Sequence, residues 1–215
     1  MCPRLRSIAA AAGLAFAALA GLVASGATTG IDQWAADHAM PLAGRPLGPP
    51  TFLGSVVPLL DAPFHPAGTA VAQIVTLPGQ VVVSLALVLA AARRTGKPTW
   101  PVAWLFAVAV EVVLRHVLSR PPLHRDGVHL VGFDMSWPSG HALRCSLVAA
   151  AVVSACPHLR LPVGIWLVAA VALLEAAGFH TPTDVVGGLL LATVAAVGAG
   201  ELERSRFLRR TGARS

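Results

Sequence analysis

Long apolar runs alternate with short polar segments along most of the chain. The first apolar run extends from Ile8 to Ala24 without a charged residue. Further runs cover approximately residues 70–92, 100–118, 139–155, 161–179 and 182–200. A helix needs about 20 apolar residues to cross the hydrocarbon core of a bilayer. The pattern therefore predicts an all-α, integral-membrane bundle of about six transmembrane helices, with the second helix interrupted at Pro78-Gly79.

The polar segments between these runs divide the chain into four parts. Residues 1–27 are predicted to be either a first transmembrane helix or a signal peptide, because a basic start precedes the apolar run and small residues follow it. Residues 28–69 are predicted to form an extracytoplasmic loop with a possible interfacial helix. Residues 70–200 form the membrane-embedded core, in which Trp100 and Trp104 are placed like interfacial anchors. Residues 201–215 are expected to be a frayed, basic cytoplasmic tail.

Composition agrees with lipid as the main solvent of the chain. Hydrophobic residues make up 55% of the sequence and charged residues 12%, and the mean hydropathy is +0.70. These values exclude an ordinary soluble domain. The net charge of +6 does not indicate a nucleic-acid partner, because the basic residues neither cluster on one face nor alternate with aromatic residues.

The basic residues instead predict how the protein lies in the cell membrane. With the N-terminus inside, all but five of the 16 lysines and arginines fall on the cytoplasmic side, as the positive-inside rule requires. The five exceptions are Arg45, Arg115, Arg120, Arg125 and Arg144. Four of these are expected at one outer end of the bundle. Basic residues placed against the topological preference indicate an anionic partner at that end.

Two polar clusters at predicted helix starts lie at the same outer end. The first contains Ser139, Gly140 and His141, and the second runs from His180 to Asp184. Ser139 can cap its helix, and Thr181-Pro182-Thr183-Asp184 fits a capping box. A helix N-terminus offers free backbone N–H groups and a positive dipole end, which suit a phosphate. A glycine at position 140 would let that phosphate approach the backbone closely.

The histidines and the carboxylate suggest phosphoryl transfer. A neutral imidazole can attack phosphorus, and a carboxylate on its other ring nitrogen would stabilise the imidazolium that develops. His180 and Asp184 could form that pair, while His141 would protonate the leaving oxygen and later activate water. No further ligand or nucleotide-binding loop is evident, so neither a metal nor a cofactor is predicted.

Arginines near the clusters could hold the phosphate through charge-assisted hydrogen bonds. Glu111 and Arg115 have the i, i+4 spacing of a helical ion pair, which would direct Arg115 towards the site. Arg144 and Glu175 are expected at similar depths in neighbouring helices, where they could pair as intramembrane charges do.

Two motifs resemble those of the type 2 phosphatidic acid phosphatases, which are integral-membrane lipid phosphate phosphatases. Pro138–His141 gives the Pro-Ser-Gly-His motif, and His180 with Asp184 gives the His, three residues, Asp step. The resemblance covers about residues 100–200. It implies that His180 is a nucleophile forming a phosphohistidine, Asp184 its orienting partner and His141 the general acid. It also implies that Ser139 and Gly140 bind phosphate.

The sequence departs from the family pattern at two places. The first family motif is Lys, six residues, then Arg-Pro. Here Arg115 takes the lysine position, and Arg120 is similar to the arginine of an actinobacterial-style variant. The third family motif opens with Ser-Arg, where this chain has Leu173-Leu174. Arg144 is a candidate replacement for the missing phosphate-binding arginine.

The expected function is metal-independent dephosphorylation of a lipid phosphate or pyrophosphate at the outer face of the membrane. Polyprenyl pyrophosphate, phosphatidate and phosphatidylglycerophosphate are candidate substrates. A lipid phosphotransferase would use the same residues. A non-catalytic membrane protein that binds or moves an anionic lipid is the other alternative, and the missing arginine favours it. Such a protein has little need of a histidine at the attacking position.

Overall fold

The computed structural model describes residues 3–40 and 67–212. Within these ranges the chain forms eight α-helices: α1 Pro3–Ala24, α2 Thr29–His38, α3 Ala67–Thr76, α4 Val81–Thr95, α5 Thr99–Val117, α6 Gly140–Ala155, α7 Arg160–Ala176 and α8 Pro182–Gly212. Every predicted apolar run is helical, so the predicted all-α bundle is confirmed. Residues 41–66 of the predicted extracytoplasmic loop, including the stretch 52–60 where the interfacial helix was expected, lie outside the described residues.

Several helices are long and apolar enough to cross a bilayer. Among residues 3–40 and 67–212, four segments meet both requirements: Leu5–Ala24, Thr99–Val117, Pro157–Ala176 and Pro182–Arg206. Helices α3 and α4 form a bent pair that meets at 50°. The 3₁₀ turn Leu77–Gly79 separates them, which confirms the interruption predicted at Pro78-Gly79. Helix α6 is shorter, with 16 residues. The chain is an integral membrane protein.

The core lies between α4, α5, α6 and α8. Small side chains dominate it, which lets the helices pack closely as transmembrane helices do. Its buried members include Val88, Ala107, Leu143, Leu147, Ala151, Ala192 and Ala195. Trp100 and Trp104 also belong to it, at 8% and 3% exposure, so their prediction as interfacial anchors was wrong. Trp104 faces α4, where its Nε1 donates a hydrogen bond to Ser84 Oγ at 3.1 Å.

The helix bundle has two distinct ends. At one, which we call the basic end, Lys97 Nζ bonds Ser154 Oγ at 3.0 Å and the Thr99 N–H bonds Glu203 Oε1 at 3.3 Å. At the other, which we call the histidine end, lie α2, residues 118–139 and the start of α8. Both predicted polar clusters are therefore at the same end of the bundle.

A small cap covers the histidine end. Helix α2 packs on the loop between α5 and α6 through a cluster of buried apolar residues: Ala35, Ala36, Met40, Leu123, Leu130 and Phe133. The loop contains a hairpin of two short strands, β1 His124–Arg125 and β2 Val128–His129. Asp126 and Gly127 form its turn with φ of 50° and 77°. Asp-Gly is a strong hairpin signal, although this stretch was predicted only as one of the polar segments between the apolar runs.

The last helix is longer than predicted. Helix α8 continues to Gly212, so the prediction of a frayed tail from residue 201 was wrong for residues 201–212. The segment between Glu201 and Thr211 contains no glycine or proline, and its residues include good helix formers. The bond from Thr99 to Glu203 also ties this part of the helix to the start of α5.

Candidate active site

The N-terminal ends of α6 and α8 pack directly against each other. The Ser139 N–H donates a hydrogen bond to the Asp184 carbonyl oxygen at 2.9 Å, and Trp137 Nε1 donates one to the Thr183 carbonyl oxygen at 3.2 Å. Gly187 permits this approach, because a Cβ there would lie 2.8 Å from Trp137 Nε1. Phe16 of α1 stacks on the Trp137 ring with centroids 5.1 Å apart. The two helix starts therefore form one packed unit.

Both helix starts are capped as predicted. Ser139 Oγ accepts a hydrogen bond from the Ala142 N–H at 3.2 Å, which is ordinary N-cap geometry. The Thr181 N–H donates to Asp184 Oδ2 at 3.1 Å, and the Asp184 N–H donates to Thr181 Oγ1 at 3.4 Å. This reciprocal pair is the predicted capping box. Ser139, Thr181 and Asp184 are fully buried.

The two histidines face each other across this unit. The ring centroids of His141 and His180 are 5.8 Å apart. His180 is 6% exposed, whereas His141 is partly exposed. Nδ1 of His180 lies 3.7 Å from Asp184 Oδ2, which is longer than a hydrogen bond. This buried nitrogen has no hydrogen-bond partner among the described residues.

Asp184 belongs to a buried chain of charges that reaches the cap. Its carboxylate accepts hydrogen bonds from Ser136 Oγ at 2.6 Å and from Arg120 Nη1 at 2.9 Å. Nη2 of Arg120 bonds Asp32 on α2 at 2.6 Å. Asp32 also accepts from Thr183, at 2.6 Å from its hydroxyl and 3.2 Å from its N–H. We call Asp32, Arg120 and Asp184 the carboxylate clamp.

Asp32, on α2, lies outside the membrane-spanning helices. Its side chain is fully buried. Burial raises the pKa of Asp32 above its ordinary value, and the Thr183 hydrogen bond and the Arg120 charge oppose this shift. The ionised carboxylate therefore depends on Arg120 and Thr183 for its stability.

A second charge cluster lies beneath the start of α6. Glu111 contacts Arg115 at 3.3 Å and Arg144 at 2.6 Å. The predicted pair of Glu111 and Arg115 is confirmed. The predicted pair of Arg144 and Glu175 was wrong, because Arg144 faces α5 and the α3–α4 break, where its Nε donates to the Gly79 carbonyl oxygen at 2.6 Å.

Gly140 lies directly against this cluster. A Cβ at position 140 would collide with the Glu111 carboxylate and would come within 2.7 Å of Arg144 Nη1. The space beside Gly140 that the sequence suggested for a phosphate is thus occupied, in part, by these two side chains. A side chain at position 140 would have to displace the Glu111 carboxylate or the Arg144 guanidinium.

The three predicted phosphate-binding arginines differ in exposure. The Arg115 side chain is 29% exposed, whereas those of Arg120 and Arg144 are 4% and 7% exposed and are bonded to carboxylates. A cavity of about 430 Å³ lies beside Arg115 and Arg120 and extends to the hairpin, where it is bordered by His129 and Asp134. Arg115 is therefore the most accessible of the three cations.

Three residues of the site were not predicted from the sequence. Asp32 lies 88 positions from its partner Arg120, and no local pattern links the two. Ser136 lies three residues before Ser139, and the sequence alone indicated no role for its hydroxyl. Gln80 Nε2 lies 2.8 Å from His141 Nε2. A glutamine directly after Pro78-Gly79 within an apolar run was a signal that could have identified it, because intramembrane polar residues are costly without a partner.

Comparison with known proteins identifies the fold. No protein-family model and no curated protein matches the chain. A solved structure does match, that of the first transmembrane PAP2 type phosphatidylglycerolphosphate phosphatase from Bacillus subtilis, with a TM-score of 0.61. The two chains share a fold. The match covers 92% of this chain and 96% of that one at 17% sequence identity, and it agrees at the level of the fold with the family resemblance of the two motifs.

Proposed function

We propose that this protein is a metal-independent phosphatase of a lipid phosphate or pyrophosphate. The observation that carries the proposal is the pair of histidine rings 5.8 Å apart, placed between two helix starts. Asp184 lies behind the His180 ring. The Arg115 side chain is partly exposed beside the start of α6. A nucleophile, an acid and an anion cradle are the parts that phosphoryl transfer requires. In this proposal the site faces the extracytoplasmic side of the cell membrane.

The first step forms a phosphohistidine on His180. Nδ1 faces Asp184, so Nε2 is the attacking nitrogen. Its lone pair forms the P–N bond while the P–O bond to the leaving group breaks, and protonated His141 gives a proton to the leaving oxygen. The leaving group is the lipid alcohol of a monophosphate or the lipid monophosphate of a pyrophosphate. Asp184 stabilises the developing imidazolium once the 3.7 Å gap to Nδ1 closes to hydrogen-bond length.

The second step releases phosphate. Neutral His141 takes a proton from a water molecule, whose oxygen attacks phosphorus as the P–N bond breaks. His180 returns to the neutral state, and the proton from water makes His141 the imidazolium again. The cycle consumes one water molecule and needs no other reactant.

The three arginines of the site have two different roles in this mechanism. Arg115 and the backbone N–H groups at the start of α6 bind the phosphate oxygens. Arg120 and Arg144, which the sequence suggested as further phosphate ligands, bond Asp184 and Glu111 without substrate. Their positive charges stabilise the bound phosphate electrostatically without contacting it. Their hydrogen bonds hold the carboxylates of Asp184 and Glu111 in place.

An apolar cavity next to the site fits the tail of a lipid. It has a volume of about 260 Å³ and is lined by Pro78, by Val148, Ala149 and Val152 of α6, and by Val163 and Trp166 of α7. Pro78 adjoins Gly79, which lies against the His141 backbone. A tail in this cavity would leave its phosphate at the start of α6.

Phosphate release from a panel of lipids tests the function. Purified protein with a chelator present is given polyprenyl pyrophosphate, phosphatidate and phosphatidylglycerophosphate. We expect release from at least one lipid by the wild type and by His158→Ala, whose exposed histidine is at the basic end. We expect loss of release in His180→Ala.

Two results would replace the proposal with its alternatives. If the folded protein binds a lipid phosphate but releases no phosphate, the protein is a lipid binder. If phosphate is transferred only when a second alcohol is supplied as acceptor, the protein is a phosphotransferase.

A further inference from the structure

The break between α3 and α4 places a polar side chain against His141. Gln80 follows the 3₁₀ turn Leu77–Gly79 and begins α4. Its side chain is 9% exposed, and its Nε2 lies 2.8 Å from His141 Nε2. An amide buried within a bilayer is unfavourable without a hydrogen-bond partner. The imidazole of His141 is the partner that the structure provides.

The backbone around Gln80 is held on the first turns of α6. Gly79 lies so close to this helix that a Cβ would be 2.7 Å from Cys145 Sγ and 3.0 Å from the His141 carbonyl oxygen. The Gly79 carbonyl oxygen, which the break frees from helical hydrogen bonding, accepts from Arg144 Nε. These contacts fix the start of α4 relative to His141, so the position of the Gln80 amide is built into the packing.

We propose that Gln80 is a positioning residue that holds the His141 ring through Nε2 and leaves Nδ1 for proton exchange. This inference rests on the phosphatase function proposed above. An amide suits the task because it has both a donor and an acceptor. After a half-turn of the amide, its Oε1 accepts from the Nε2–H of His141. This hydrogen bond keeps a hydrogen on Nε2 in both the imidazolium and the neutral ring, so Nδ1 alone gives and takes the proton.

The neutrality of Gln80 matters because charged and titratable groups already surround His141. His180 faces it across the site. The positive charges of Arg115 on α5 and Arg144 on α6 also interact with the His141 ring. Glu111 lies between those two arginines. A carboxylate at position 80 would be a new anion in direct contact with the ring and would favour the imidazolium.

Steady-state kinetics with lipid phosphate tests the role. Gln80→Met keeps the size of the side chain and removes its hydrogen bond, and we expect kcat to fall about tenfold with KM within about twofold. Gln80→Glu should move the alkaline limb of the pH–rate profile up by about one pH unit. Gln73→Met is the matched control, because Gln73 lies in the same bent pair on α3 and should change neither kcat nor the profile.

A measurement without substrate tests the same role if lipid hydrolysis fails. In ¹⁵N-histidine-labelled protein, the ring shifts of His141, assigned with His141→Gln, report which nitrogen carries the proton. We expect the neutral ring to be protonated on Nε2 in the wild type and to lose this preference in Gln80→Met. An unchanged tautomer, or unchanged kcat and pH profile in a hydrolytically active protein, would overturn the role of Gln80. A protein with the expected tautomer that hydrolyses no lipid would overturn only the phosphatase proposal.

Discussion

Gly140 shows how closely the charged side chains pack at the start of α6. A methyl group there would meet the Glu111 carboxylate and the Arg144 guanidinium. We predict that Gly140→Ala destabilises the protein by about 2 kcal/mol, because the pair cannot move without losing its hydrogen bonds. Thermal unfolding in detergent would measure the effect, and phosphate release should fall with it.

Gly198→Ala is the matched control for this prediction. Gly198 is also in a helix, and a Cβ there would have no neighbour within 4 Å. The same substitution should leave the protein as stable or stabilise it by up to about 1 kcal/mol. Equal stability of the two alanine variants would contradict the packing described at Gly140.

Local contacts at single residues could be predicted from the sequence, whereas helix orientation could not. The Ser139 cap, the capping box at Asp184 and the pair of Glu111 with Arg115 all join residues within four positions. The partner of Arg144 depends on how α6 is rotated about its axis. Because α6 buries apolar residues on several sides, its pattern does not indicate which neighbour Arg144 faces.

At the scale of elements, α2 is attached to the catalytic helices through Asp32. We predict that Asp32→Ala destabilises the protein by about 3 kcal/mol, because it leaves the Thr183 groups without an acceptor and removes one of two carboxylates from buried Arg120. It should also lower phosphate release, since Arg120 helps to hold Asp184. Chemical unfolding in detergent and the lipid assay would measure the two effects.

Asp37→Ala provides the comparison for Asp32. Asp37 is on the same helix but exposed, and its carboxylate accepts a hydrogen bond from Gln33. A surface contact of this kind contributes little, so we expect a change of less than about 0.5 kcal/mol. If Asp32→Ala were as mild as Asp37→Ala, the clamp would not stabilise the site.

The elements themselves were largely predictable from hydrophobic runs, and the exceptions have physical reasons. The hairpin at Asp126-Gly127 has strands of two residues each, too short to show an alternating pattern. The continuation of α8 beyond Gly200 is polar and basic, so the hydrophobic pattern ends before the helix does. The cap formed by α2 depends on contacts between distant segments, which no single run reveals.

At the scale of the whole molecule, the charges distinguish the two ends. The basic end carries Arg93, Arg94, Lys97 and Arg160, in agreement with a cytoplasmic location. We predict that the histidine end is extracytoplasmic. In a variant without native cysteines, Val128→Cys on the exposed hairpin should react with a membrane-impermeant maleimide in intact cells. Pro98→Cys in the turn before α5 should react only after lysis, and the reverse pattern would contradict the orientation.

The central claim is that His180 carries the phosphoryl group during turnover, and a quench experiment tests it most directly. The protein is mixed with a lipid substrate that it hydrolyses, labelled with ³²P in the transferred phosphate, and the reaction is stopped in alkali within milliseconds. The proposal predicts covalent label that is stable in alkali and lost in acid, located on the peptide containing His180 and absent from His180→Ala. Label on another residue, or full turnover by His180→Ala, would contradict it.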